Sequence, residues 1–305
     1  MKSLIKRFFV RLINFLTNNS LIEIEKQKLL FGKILSNQIK NKGFEVNSLK
    51  DVEYSIFSQF GDDGIIQWLI QNLDLPNKTF IEFGVEDYSE SNTRFLMMND
   101  NWSGFVMDGS ESNIKNLKSS YYYWKYKLDA KAVFIDKENI NNLIEEQEFD
   151  KDVGLLHIDL DGIDYYIWDS IHVIDPIIVI VEYNSIFGKD RPISTIYDAN
   201  FIRSRSHYSN LLFGSSIKSL YELAERKGYS FIGCNEGGNN AYFVRNDKLN
   251  NVVKPTTLEE GYTESKFRES LDENGNLSYL EKDKARELLK GIEVFNTSLN
   301  EIEKF

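Results

Sequence analysis

The sequence predicts an α/β fold organised on a doubly wound, largely parallel sheet. Three observations lead there. From about residue 54 onward, apolar β-branched runs of strand length alternate with segments of helical periodicity, the pattern of strand–helix–strand units with right-handed crossovers. Two successive runs end in a glycine and an acid: Phe80–Phe83 leads into Gly84, and Gly104–Met107 leads into Asp108. In such a sheet the first turn lets backbone approach a ligand closely, and the acid after the next strand can accept the hydroxyls of a ribose. Finally, 305 residues with 42% hydrophobic and 13% aromatic content suffice for one large core, alone or with an appendage.

The elements follow in order. Ser3 to Thr17 sets Leu4, Ile5, Phe8, Phe9, Leu12, Ile13 and Leu16 on one helical arc, with Lys6, Arg7, Arg11 and Asn14 opposite. Arg11 interrupts the apolar run and no small-residue cleavage site follows. The segment therefore reads as an amphipathic helix, not as a signal peptide or a span. Its apolar face suits packing on the body, homodimerisation, or peripheral membrane contact. Leu21 to Asn41 continues at helical spacing to Gly43, so residues 1–53 are expected to be an N-terminal helical extension. A main domain over 54–250 follows, with a helix at Asp62–Asn72, a strand at Thr79–Phe83, a helix at Thr93–Met98 and a strand at Gly104–Met107. Val153–Ile158 is a buried-strand run, Tyr165–Ile171 a helix, and Pro176–Val181 another strand. Ser216–Arg226 has helical spacing. Tyr229–Cys234 and Asn240–Val244, joined by Asn235-Glu236-Gly237-Gly238-Asn239, read as a hairpin adding an antiparallel edge strand. Residues 251–305, with a charged helical stretch at Lys282–Leu289, are expected to be a C-terminal extension packed on that domain. Trp102, Trp124 and Trp168 each lie in or beside periodic apolar stretches and are expected in the core.

The acids are placed where chemistry is expected. Val153–Ile158 ends in Asp159-Leu160-Asp161-Gly162, and Pro176–Val181 ends in Glu182-Tyr183-Asn184. Alternation along extended chain points Asp159 with Asp161, and Glu182 with Asn184, at the carboxyl edge where such sheets bind ligands. Four oxygen donors there suit Mg²⁺ or Mn²⁺ better than zinc, and such an ion would lower the pKa of a hydroxyl. Acid/base work without a metal, or helix capping by Asp164, are the other readings. The long stretch between Asn184 and Gly214 holds Arg191, Tyr197, Arg203, Arg205, His207 and Tyr208, suited to stacking on a sugar or bonding its phosphate. His207 and Asp161 are rival candidates for the catalytic base.

The net charge of −11 hides an asymmetry. Residues 1–50 carry ten Lys or Arg against three Glu, about +7, so the remainder carries about −18. An acidic body argues against broad nucleic-acid binding. Glu82 stands where a dinucleotide loop has its first glycine, with Glu86 and Asp87 close behind. That turn repels a pyrophosphate and suits a cationic ligand such as S-adenosylmethionine. One cysteine, Cys234, rules out an internal disulfide framework and CxxC zinc modules, and three histidines rule against a multi-histidine metal site. The expected location is the cytoplasm, or the inner face of the membrane if the basic helix docks there.

Ser58-Gln59-Phe60-Gly61-Asp62-Asp63, the Phe80–Thr93 block, Asp159-Leu160-Asp161-Gly162-Ile163-Asp164-Tyr165, Glu182-Tyr183-Asn184 and Gly233–Arg245 together resemble the FkbM-related S-adenosylmethionine-dependent methyltransferases, found among bacterial surface-polysaccharide genes. The resemblance spans about residues 54–300. It implies a Rossmann-like, seven-stranded methyltransferase sheet whose last strand is antiparallel. It also implies O-methylation of a sugar, nucleotide-linked or polysaccharide, in capsule or lipopolysaccharide biosynthesis. On matching positions, Glu82 and Gly84 would surround the methionine part of the cofactor, Asp108 would hold the ribose, and Gln59 and Asn92 would add contacts. The chain departs from the common pattern in having a single loop glycine. Two other readings stand beside this one: an NAD-dependent oxidoreductase, weakened by the missing GxGxxG, and a non-catalytic module that binds glycan or scaffolds the polysaccharide machinery.

Overall fold

The computed structural model describes residues 2–40 and 46–305, with side-chain surroundings from Ser20 onward. Gly43, the expected helix end, lies outside the described residues. The two N-terminal segments form one helix, α1 (Lys2–Lys40), about 58 Å long at 1.5 Å per residue. From its middle onward α1 packs on α2 (Asp62–Asn72) and α3 (Arg94–Asp100). Ser36 donates to Gln67 at 2.6 Å, and the Arg94 guanidinium meets Glu25 at 2.8 Å.

The body alternates as expected. Strand β1 (Thr79–Phe83) leads to α3, β2 (Ser103–Asp108) to α4 (Glu111–Lys118), and β3 (Leu128–Ala132) to α5 (Ile140–Glu145). Next come β4 (Leu155–Ile158), α6 (Asp164–Ser170) and β5 (Ile178–Glu182). After β5 come the short β6 (Ile193–Ser194), the single turn α7 (Arg203–Ser206) and α8 (Ile217–Lys227). The hairpin of β7 (Tyr229–Cys234) and β8 (Asn240–Arg245) completes the main sheet, in the order β3-β2-β1-β4-β5-β8-β7. This is a Rossmann-like, mostly parallel seven-stranded sheet. The last strand, β8, is antiparallel to both its neighbours and lies one place in from the edge, because it is β8 and not β7 that bonds to β5.

Period-two alternation divides the core. Ile81, Phe105, Leu156 and Val179 face α5, α6 and α8, while Phe80, Val106, Leu155 and Ile180 face α2, α3 and α4. Side chains buried this completely contribute about 1.5–3 kcal/mol each. Trp102 and Trp168 are in this core, as expected. Trp124 is not: it lies in the turn after α4 and is 79% exposed, because only Tyr122 of that aromatic run turns fully inward.

The C-terminal segment does more than pack on the domain. After α9 (Leu258–Gly261), residues 264–285 run over the carboxyl edge of the sheet into α10 (Lys282–Leu289). Strands β9 (Glu293–Asn296) and β10 (Glu301–Lys304) then form a second, three-stranded sheet with β6.

Candidate active site

The carboxyl ends of β1, β2, β4 and β5 open into one cavity of about 1380 Å³, roofed by residues 264–285. Its floor begins at Gly84. This residue has φ +69°, and a Cβ added to it would overlap the carbonyl oxygen of Asp159 on the neighbouring strand end. Only glycine combines that dihedral with so close an approach.

Glu82 stands behind this turn. The β1–β4 register sets it directly opposite His157 on the same face, and Glu82 Oε1 lies 3.0 Å from His157 Nδ1. The same oxygen accepts from Asn92 N at 2.9 Å; Oε2 accepts from Ser91 Oγ at 2.6 Å and from the Thr93 hydroxyl. Burial opposes the charge, but the bond and charge of His157 together with the two hydroxyls outweigh it and hold Glu82 below the ordinary carboxylate range. The same partnership raises His157 against its own burial. Glu82 therefore shapes the loop that a ligand would meet, with its bonding capacity spent on protein groups. Asn92, whose side-chain nitrogen lies 3.1 Å from His157 Nε2, belongs to this support as well as to the cavity wall.

Asp108 lines the cavity beside Gly84. Its Oδ1 accepts from Ser110 N at 2.8 Å and Asn113 Nδ2 at 3.2 Å, and its Oδ2 from Glu86 N at 2.9 Å. A carboxylate offers about four lone-pair sites. One remains for a ligand's donor, and a second donor would displace the Glu86 amide. Gln59 and Phe60 reach the cavity from a loop that Asp63 pins, its Oδ2 accepting from the amides of Ile56, Phe57 and Ser58 at 2.6, 2.7 and 2.8 Å.

The acids after β4 and β5 gather as expected. One register step beyond the Ile158–Val181 pair brings Asp159 beside Glu182, and Asp159, Asp161 and Glu182 each offer an oxygen within 4.8 Å of the others. Asp161 takes a left-handed conformation, φ +54°, in a turn held by Asp164, which accepts from Leu160 N at 2.7 Å and Gly162 N at 3.0 Å. Burial, then repulsion from Asp161, pushes Asp159 up to about 8; burial and Asp159 raise Glu182 well above its usual value. Glu182 Oε2 is buried without a hydrogen-bond partner.

Two sequence-predicted residues are engaged otherwise, Asn184 in the cavity wall and His207 outside it. Asn184 is spent on structure: its Nδ2 donates to the carbonyls of Leu211 and Phe213, both at 2.9 Å, and its Oδ1 accepts from Ile186 N at 3.0 Å. His207 is not among the cavity-lining residues; its Nδ1 lies 2.7 Å from Ser209 Oγ and its ring packs on Tyr208. Arg203 occupies the place beside the acids instead. It donates to Asp161 Oδ1 at 2.7 Å, bonds Glu269 of the roof, and lies 3.6 Å above the Phe213 ring. Val133, Phe134 and Ile135 line the cavity beyond β3. They were missed because their strand was missed.

A stability prediction follows from Asp159. Its folded-state value is raised, so its contribution is fullest below about pH 4 and is lost as pH rises through about 8. In chelator-containing buffer, the melting temperature of the protein should fall between pH 6 and pH 9 relative to that of Asp159→Asn. A wild-type slope retained in the variant would place the titrating group elsewhere.

The chain matches no family model and no curated protein. Among solved structures it is similar to an O-methyltransferase from Bacillus cereus in complex with SAH, at 13% identity and TM-score 0.38, covering 58% of this chain and 76% of that one. The N-terminal domain of EvdMO1 with SAH bound gives 10%, 0.35, 54% and 72%. Human N-acetylserotonin methyltransferase in complex with SAM gives 13%, 0.36, 72% and 56%.

Proposed function

We propose that this protein is an S-adenosylmethionine-dependent O-methyltransferase acting on a sugar hydroxyl. One observation carries the reading. The lobe of the cavity formed by residues 82–92 and 108–113 has a single-glycine turn and a ribose-ready Asp108, carries Glu82, Glu86 and Glu90, and among the described residues contributes no Lys or Arg to the lining. A pyrophosphate would meet repulsion there, whereas a sulfonium cation would be favoured. The resemblance to FkbM-related enzymes supports the same choice, and with it a role on surface-polysaccharide sugars.

Bound S-adenosylmethionine supplies an electrophilic methyl group. The chain's own part is to hold the acceptor oxygen in line with it and to take the hydroxyl proton. With no cation bound, Asp159 is suited to that proton, since a carboxyl raised to about 8 is poised near neutral pH; a cation on Asp159 would hold it ionised and take over this part. Arg203 over Phe213, with Phe201 and Tyr279, offers the mix of ring faces and donors that holds a sugar. A hard divalent cation fits Asp159, Asp161 and Glu182, where the orphaned Glu182 oxygen lacks a donor, and would lower the pKa of the acceptor hydroxyl.

Calorimetric titration with S-adenosylhomocysteine, with and without Mg²⁺ or Mn²⁺, tests the reading. The wild type should bind, and Asp108→Ala should weaken binding about 10- to 150-fold, the worth of hydrogen bonds to a charged acceptor. Failure of the wild type to bind under every condition would overturn it.

A further inference from the structure

Beyond the Gly84 lobe, the cavity lacks positive charge and hydrogen-bond donors at the same place. Eleven carboxylates line the cavity against four Lys or Arg. Each of those four already lies against an acid: Arg203 against Asp161 and Glu269, and the roof cations Lys266, Arg268 and Lys282 against one glutamate each. A phosphate group entering here would meet the field of the surplus acids.

The shortage is sharpest where β5 meets β8. Their register sets Glu182 opposite Asn240, so the two side chains leave the same face of the sheet, and both belong to the cavity wall. Glu182 Oε2 is buried without a donor. Asn240, 3% exposed, donates through Nδ2 to Asp62 Oδ1 at 3.0 Å, while its own buried Oδ1 accepts from nothing. Buried acceptors left unmade are costly, and a native structure rarely keeps two side by side. Burial, and then repulsion between them, raises both Asp159 and Glu182, a sign of the same missing cation. The sheet order also separates this spot from the ribose acid. Glu182 and Asn240 stand three and four strands from Asp108, about 14–19 Å at the usual strand spacing. With a ribose held at Asp108, the short methionine arm of the cofactor ends before them, and the acceptor is what reaches them.

We propose that the acceptor is an amino sugar without phosphate, its ammonium seated between Glu182 and Asn240. An ammonium has three donors and no acceptor, so one group answers both orphaned oxygens and brings the missing charge. A hydroxyl has one proton to give and no charge. A free Mg²⁺ shares the positive charge but demands near-octahedral oxygen coordination, and Asp161 Oδ1 is already held by Arg203. The ammonium would also draw Asp159 down from about 8, leaving it ionised at neutral pH and ready for the hydroxyl proton. The inference rests on the methyltransferase reading in naming the bearer of the amine as the acceptor.

Calorimetric titration of the full chain with glucosamine, glucose, N-acetylglucosamine and UDP-glucose tests it, with and without S-adenosylhomocysteine. Glucosamine should bind about tenfold or more tightly than glucose, the worth of a hydrogen bond to a charged group. N-acetylglucosamine, whose nitrogen is uncharged, and UDP-glucose should show no such gain. Glu182→Gln keeps the shape and removes the charge, so it should erase the preference, and Asn240→Ala should reduce it. Retained melting curves would verify that the variants fold. Saturating Mg²⁺ should leave the wild-type preference in place. Glucosamine bound no more tightly than glucose, a preference that survives Glu182→Gln, or one that Mg²⁺ abolishes by taking the acids itself would each overturn the proposal. Failure of the methyltransferase reading shows separately, as absence of S-adenosylhomocysteine binding, whatever the sugars do.

Discussion

Glu82→Ala should lower stability by roughly 3–5 kcal/mol, the range for removing one partner of a buried ion pair. At about 2–4 °C per kcal/mol for a domain of this size, the melting temperature should fall by roughly 10 °C. The residue sits 2% exposed, and its loss would leave His157, the Ser91 and Thr93 hydroxyls and the Asn92 amide without their shared acceptor. Such orphaned groups pay their full desolvation cost. Glu82→Gln keeps the shape and some of the acceptors, so it should fall between wild type and Glu82→Ala. If the alanine variant melts within about 2 °C of wild type, the support role assigned to Glu82 is wrong.

Gly84→Ala should act on ligand binding more than on folding. A non-glycine residue at φ +69° costs of order 1–3 kcal/mol by itself. The added Cβ also meets a main-chain carbonyl, that of Asp159, which cannot rotate away as a flexible side chain would. Relief requires the β1 and β4 ends to part at the point where the two halves of the cavity join. A displacement on the order of 1 Å can cost about a hundredfold in rate, and the methyl transfer we propose should drop by that order. Binding of S-adenosylhomocysteine, measured alongside, should weaken too. Wild-type affinity in Gly84→Ala would mean that the turn does not shape the ligand lobe.

What could be read from the sequence tracks how local the determinants are. The strands at Thr79–Phe83 and Ile178–Glu182 fall within a residue or two of the ranges read from their apolar runs, since fully buried strands carry continuous hydrophobic patterns. Strand β3 was missed because Leu-Asp-Ala-Lys-Ala lies at an edge and offers only small or single apolar residues to each face. The second sheet was invisible because the two residues of β6 pair with a strand about a hundred positions away. The same division holds in the site. Asp159, Asp161 and Glu182 were legible because strand ends project to one edge. The fate of Asn184 was set by the carbonyls of Leu211 and Phe213, and that of His207 by Ser209, contacts that no spacing rule anticipates. Glu82 was found at the right place, but its saturation depends on His157, 75 positions further on. Trp124 was misread because its aromatic neighbours mimic a core run while the chain there turns through a short 3-10 segment at the surface.

The roof of the cavity touches its floor through a stack of Phe267 on Phe60, ring centres 4.4 Å apart, and through the Arg203–Glu269 bond. The floor is drawn from the ends of β1, β2, β4 and β5, whereas the roof is one contiguous stretch near the C-terminal end of the sequence. Floor and roof are thereby written in different parts of the gene. A descendant could exchange residues 264–285, insert into them or shorten them, and so reshape the mouth of the cavity while inheriting the sheet beneath it intact.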